Sequence, residues 1–202
     1  SLAQLDCGSV TTEQFCNPLF FQNKLSWRMP ETASCRKDLT RYTIYYARYE
    51  ADSPKRLTNI DGTQPMAYNH QRDSQQGIAG CYYVTATSSL GIESSPSNKI
   101  CVDNCPKIQL PSIFTPNKDG FNDTFTPMNC PAFIKNVDIT IYNRYGSKVF
   151  SAAGTSIEWD GTNETGQALS AGTYYYIIHV QFEQLSPVSA TNVVKGWVEL
   201  VR

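Results

Sequence analysis

The sequence predicts an all-β chain of two tandem β-sandwich domains. Aromatic residues make up 12 % of the 202 residues, with twelve tyrosines, and aromatic residues favour strands. Apolar residues alternate with polar ones in several short stretches, and no segment carries the 3.6-residue period of an amphipathic helix. Turn signals built from Gly, Pro, Asn and Asp separate these stretches. The length suits two domains of about 100 residues each.

Composition narrows the function classes. Seventeen basic residues stand against eighteen acidic ones, a net charge of −1, and charged residues are only 17 % of the chain. Without a basic excess, no nucleic-acid partner and no acidic membrane surface is expected. No apolar run approaches the roughly 18 residues of a membrane span, so no transmembrane segment is expected. Seven cysteines without CxxC pairs read as disulfides, which form in an oxidising compartment. The odd count fits a cut fragment or one free thiol. With no signal peptide at its start, the chain is expected to be the tail of a longer exported protein. A monomer is expected.

The first domain is placed at residues 1–104. Residues 1–20 read as loop-like, with Cys7 and Cys16 on either side of a polar TTEQ. Leu25, Trp27 and Met29 then alternate with Lys24, Ser26 and Arg28, the period of a half-buried strand. Tyr42, Ile44 and Tyr46 alternate with Arg41, Thr43 and Tyr45. Asp61-Gly62 marks a turn, and Pro65 breaks the chain again shortly after it. Tyr82, Val84 and Ala86 form a further strand, Gly91 opens a Ser/Pro loop, and Ile100 to Val102 close the domain.

Leu25-Ser26-Trp27, the run Tyr42 to Tyr46, the run Tyr82 to Thr87 and the loop Gly91 to Ser97 resemble fibronectin type III domains. The resemblance implies an immunoglobulin-like sandwich whose tryptophan fills the core. The cysteines depart from that family, which usually has none. Cys81 and Cys101 bound the last two strands, so antiparallel pairing would bring them opposite each other. Spacing does not fix the connectivity, since six cysteines allow fifteen pairings.

The junction from Cys101 to Pro111 contains Pro106 and Pro111, which stiffen it. Cys105 lies in it. A bond from Cys105 to Cys130 would clamp the joint onto the second domain, which is placed at residues 107–202. There Ile108, Leu110 and Ile113-Phe114 read as a first strand broken by Pro111. Val137, Ile139 and Ile141 alternate with polar neighbours. Arg144-Tyr145-Gly146 turns the chain into Lys148-Val149-Phe150 as a hairpin. Ile157 to Trp159, Tyr174 to Val180 and Val193 to Val201 complete the strands.

The second domain is similar to the gliding-motility-associated C-terminal domain, the type B C-terminal sorting domain of the type IX secretion system. The motifs that carry this are Phe114-Thr115-Pro116-Asn117-Lys118-Asp119-Gly120-Phe121-Asn122-Asp123, Ile141 to Gly146, Trp159-Asp160-Gly161-Thr162, Gly172 to Tyr176, and Lys195 to Arg202. Lys118 stands where the family often has Gly, and Tyr145 where Trp is common. The resemblance implies an exported protein of a Gram-negative, often gliding, bacterium. It would cross the outer membrane with the help of an outer-membrane β-barrel partner and end at the cell surface or in the medium.

A folded sorting signal can be read at an exposed strand edge or at its loops. The last strand is the candidate edge. Val198 and Leu200 would face the core, and Lys195, Trp197, Glu199, Val201 and Arg202 are the candidate partner-binding residues. Asn117, Asp119, Asn122 and Asp123 supply oxygens that could bind Ca²⁺, which takes six to eight. The preferred reading is a turn in which these groups cap backbone amides, so no cofactor is required. Trp159 is read as core, and the run Tyr174 to Tyr176 as strand packing with some rings buried. No GxSxG or HExxH motif occurs among the residues, and only two histidines are present, His70 and His179. No enzymatic activity is expected. The alternative to a sorting signal is an adhesive, glycan-binding surface module.

Overall fold

The computed structural model describes residues 21–29, 38–72, 77–130, 133–186 and 191–202. All regular structure among them is β. The loop-like reading of residues 1–20, with Cys7 and Cys16, and the loop at Pro187 lie outside the described residues. Two compact units emerge. The first runs to Cys105 and takes in residues 184–186; the second holds Pro106–Glu183 and residues 191–202.

Among the described residues, the first unit has six strands in two sheets. β1 (Gln22–Ser26) pairs antiparallel with β4 (Ala67–Gln71). The second sheet has the order β3-β2-β5-β6, from β2 (Leu39–Ala47), β3 (Lys55–Asp61), β5 (Gly80–Ser88) and β6 (Ile100–Val102). Phe21 and Leu25 come from one layer, Tyr42, Ile44 and Tyr82 from the other, and all are buried. Trp27 meets Tyr42 edge-on, with ring centroids 5.3 Å apart.

The sequence does not predict β3 and β4, because KRLTNID and AYNHQ are polar and mostly exposed. In β5 the burial also differs from expectation. Val84 and Ala86 are half-buried, whereas Thr85 and Thr87 on the other face are buried. Thr85 is covered by Glu93, whose carboxylate accepts its hydroxyl and that of Tyr45.

Cys81 and Cys101 are direct register partners of β5 and β6, and they form a disulfide. Cys105, buried, and Cys130, exposed, are each disulfide-bonded as well. The Cys81–Cys101 bridge is the one with both ends among the described residues.

Among the described residues, the second unit is built on one five-stranded sheet. β7 (Ile113–Phe114), β8 (Ile134–Tyr142), β9 (Lys148–Gly154), β10 (Gly172–Phe182) and β11 (Thr191–Leu200) lie in the order β7-β11-β10-β8-β9. All pairs are antiparallel except β7 with β11, which is parallel. Period-two alternation sets the inner face. Val137, Ile139, Ile141, Ile178, Val180, Val198 and Leu200 are almost fully buried there.

Among the described residues, the facing layer contains hardly any regular strand. The expected strand Ile157 to Trp159 reduces to a single bridge, Phe125 with Trp159. Aromatic rings fill the layer instead: Trp159 lies 5.2 Å from Phe114 and 5.3 Å from Tyr174, and Phe125 lies 5.2 Å from Tyr176. The expected first strand is shorter too. Only Ile113 and Phe114 pair, while Ile108 and Leu110 pack partly buried against the core.

Candidate functional site

The second unit's sequence motifs are turns stabilised by their own Asn and Asp side chains. In the first, Asp123 accepts the amides of Lys118 (2.6 Å) and Gly120 (2.8 Å). Asp119 accepts the Phe121 amide (2.8 Å) and the Asn117 side-chain amide (2.7 Å). The Asn117 and Phe121 donors hold the Asp119 carboxyl below its usual range. Lys118 and Asn122 both have positive φ, 65° and 53°. That conformation explains why glycine suits position 118, since L-residues with a Cβ are strained there.

The same logic recurs. Asn143 accepts the amides of Tyr145 and Ser147, and Gly146 completes that turn with φ 79°. Asn163 accepts those of Thr165 and Gln167, with Gly166 at φ 78°. Asp160 accepts the amide and hydroxyl of Thr162. Trp159 is core, 1 % exposed, and its indole N–H donates to the Thr162 carbonyl.

The first turn, the Trp159-Asp160-Gly161-Thr162 turn and Arg202 meet around an open cavity of about 640 Å³, lined by Lys118, Gly120, Asp123, Asp160, Thr162 and Arg202 among others. Several of its polar groups are already engaged. The Arg202 guanidinium donates to the carbonyls of Leu169 (3.0 Å) and Gly161 (3.2 Å). Of the four residues whose oxygens could suit Ca²⁺, Asn117, Asp119 and Asp123 use their side-chain oxygens to accept hydrogen bonds within the turn. Asn122 lends its backbone carbonyl to Thr115. Among the described residues no group of three His, Cys, Asp or Glu could hold a metal ion.

The last strand is only partly an open edge. The amides of Glu199 and Val201 donate to the carbonyls of Ser112 and Phe114, so β7 covers the end of β11. Sequence reading misses this cover, because a two-residue parallel pairing between distant segments leaves no local signal. Val198 and Leu200 face the core as expected. Glu199 accepts the Thr173 hydroxyl at 2.8 Å, and Arg202 is tied down by its two carbonyl partners. Val201 is 38 % exposed. Of the candidate set, Lys195 and Trp197 combine an exposed side chain with a strand edge that no described strand pairs, as does Val193.

Trp197 is 53 % exposed on the outer face of the sheet and lies opposite Tyr175, itself opposite Tyr142. In the run Tyr174 to Tyr176 the first and third rings are buried and Tyr175 is exposed. His179 is exposed on the same outer face, while His70 is buried in the first unit.

Residues 108–200 match the family model described as the CHU_C Type IX secretion signal domain, which bears out the resemblance read in the second half. No curated protein matches the chain. Among solved structures, one similar chain is the tetra-tandem repeat in the extending region of a large adhesion protein. Identity is 14 % and TM-score 0.43, over 98 % of this chain and 47 % of that one. Another is the FN1–FN3 segment of chicken CNTN1, at 14 % identity and TM-score 0.33, over 90 % of this chain and 62 % of that one. The chain thus spans about half of the first and under two thirds of the second.

Proposed function

We propose that residues 107–202 act as a type B sorting signal of the type IX secretion system, recognised by an outer-membrane β-barrel partner, and that the first unit belongs to the exported cargo or stalk. The observation that carries this reading is the match of residues 108–200 to a secretion signal domain. The build of the unit supports it. Its motif residues are spent on shaping turns and core, so what remains for recognition is a preformed surface. Such a surface can be read by a partner after the chain has folded. Passage through the periplasm and arrival at the cell surface or in the medium belong to the same reading.

The test is export of a foreign passenger. A fluorescent protein with a signal peptide, joined to residues 1–202 or to 107–202, is expressed in a bacterium that has this secretion system. Surface and medium fluorescence are compared with a strain lacking the barrel partner. Export that disappears in that strain is expected. No export by either fusion would remove the sorting role. It would favour an adhesive, glycan-binding module, for which the exposed rings of Tyr175 and Trp197 offer one surface.

A further inference from the structure

Among the described residues, the free length of β11 has no strand beside it. Glu199 and Val201 turn their amides toward β7. Backbone direction alternates along a strand, so Val193, Lys195 and Trp197 aim their N–H and C=O groups to that same side. No strand among the described residues pairs with them there. β7 stops short for a visible reason. Pro111 has no N–H to give, and Gln109 is drawn away by bonds to Asn129 and Met128.

The side chains above this edge have a pattern. Val193 is 49 % exposed and Trp197 53 %, and exposed Lys195 stands between them. Its register partner Ile177 is apolar, and the next strand presents Thr140. The described residues offer Lys195 neither an ion pair nor a hydrogen bond.

We propose that this edge receives an extended segment of the export partner as an added strand. That segment has an acidic residue at its centre and an apolar residue two positions to either side. This rests on the sorting-signal reading. Three observations select the occupant. The unpaired N–H and C=O groups continue the line that β7 begins. The unpaired Lys195 calls for a carboxylate, and Val193 and Trp197 call for apolar neighbours. Lys195 also argues against a second copy of this chain, because antiparallel self-pairing centred on the free edge sets two lysines opposite each other. Backbone bonds would supply affinity and the central charge would supply selectivity.

The probes are two capped peptides, Thr-Val-Thr-Glu-Thr-Val-Thr and the same peptide with a central Lys. Each is titrated into residues 1–202 while amide NMR signals are followed. The Glu peptide is expected to bind about fivefold more tightly or better, and to shift and slow the exchange of the amides of Val193, Lys195 and Trp197. The Lys195→Pro variant deletes an outward N–H while leaving the ladder to β10 intact, and should bind about tenfold more weakly or worse. Lys195→Glu retains the backbone and should reverse the peptide preference, which keeps the test open if the proline variant is unfolded.

Equal binding of the two peptides, no binding to the natural chain, self-association through this edge, or shifts confined to β9 would each overturn the proposal. A passenger fused to residues 1–202 supplies the second readout. Normal export by the Lys195→Glu fusion would sink this inference alone. Failure of the natural fusion to be exported would sink the sorting reading while leaving the peptide result standing.

Discussion

Lys118 shows how one side chain can be out of keeping with its turn. Its φ of 65° costs a residue with a Cβ about 1 kcal/mol or more relative to glycine. Lys118→Gly should therefore raise the unfolding free energy of the second unit, by up to about 1 kcal/mol after the added freedom of the unfolded chain is counted. Chemical denaturation measures this, and a loss of stability would contradict the assignment of strain. Gly161 is the reverse case. It has φ 77°, and a Cβ there would lie 2.7 Å from a methyl of buried Leu200, so Gly161→Ala should destabilise by roughly 2 kcal/mol or more.

His70 makes a residue-scale prediction about pH. It is buried, and its Nδ1 lies 2.8 Å from the Tyr82 hydroxyl, which also accepts from Asn23. Burial, helped by the Arg72 charge, pushes its pKa down to about 4. The unfolded chain then binds the proton more readily than the folded one. The stability linked to His70 is whole above its ordinary value of about 6.5 and falls as pH drops toward 4. The unfolding free energy of residues 1–202 should fall over that window, and His70→Gln should flatten part of the slope. An unchanged slope would show that His70 is not the responsible group.

At the scale of elements, covalent and polar ties hold the short strands in place. β6 has three residues, too few to hold its place by ladder bonds alone, and Cys101 ties it to Cys81 on β5. Replacing both cysteines with alanine should cost about 3 kcal/mol, by loop-closure entropy for a sequence separation of 20. Urea unfolding would reveal the loss, and a shift below about 1 kcal/mol would mean the bridge restrains little. In the second unit, Asp123 closes its turn by accepting two amides. Asp123→Ala leaves both donors to water and should cost about 1 to 2 kcal/mol.

Period-two elements are legible in the sequence because one face is apolar. β8, β10 and β11 announce themselves through Val137-x-Ile139-x-Ile141, Tyr174-x-Tyr176-x-Ile178 and Val198-x-Leu200. The turns are legible because Asn, Asp and Gly sit where side-chain caps and positive φ require them. β3 and β4 escape because their strands bury little and their residues show no apolar alternation. The cover that β7 places over the end of β11 escapes because pairing across so long a sequence separation depends on the fold as a whole. The same cover closes the strand edge at Glu199 and Val201 and, among the described residues, leaves it open at Val193, Lys195 and Trp197.

For the molecule as a whole, the turn motifs, the aromatic layer and the sheet build the second unit, with the motif Asn and Asp side chains engaged within their own turns. Residues 108–200 of that unit match the secretion signal family. On the proposed reading, the second unit alone directs transport. The most direct measurement is surface and medium fluorescence of a passenger joined to residues 107–202, with and without the outer-membrane partner. Export that needs the partner is the predicted result. A passenger retained inside the cell when joined to 107–202 would contradict that reading, whether or not the 1–202 fusion is exported.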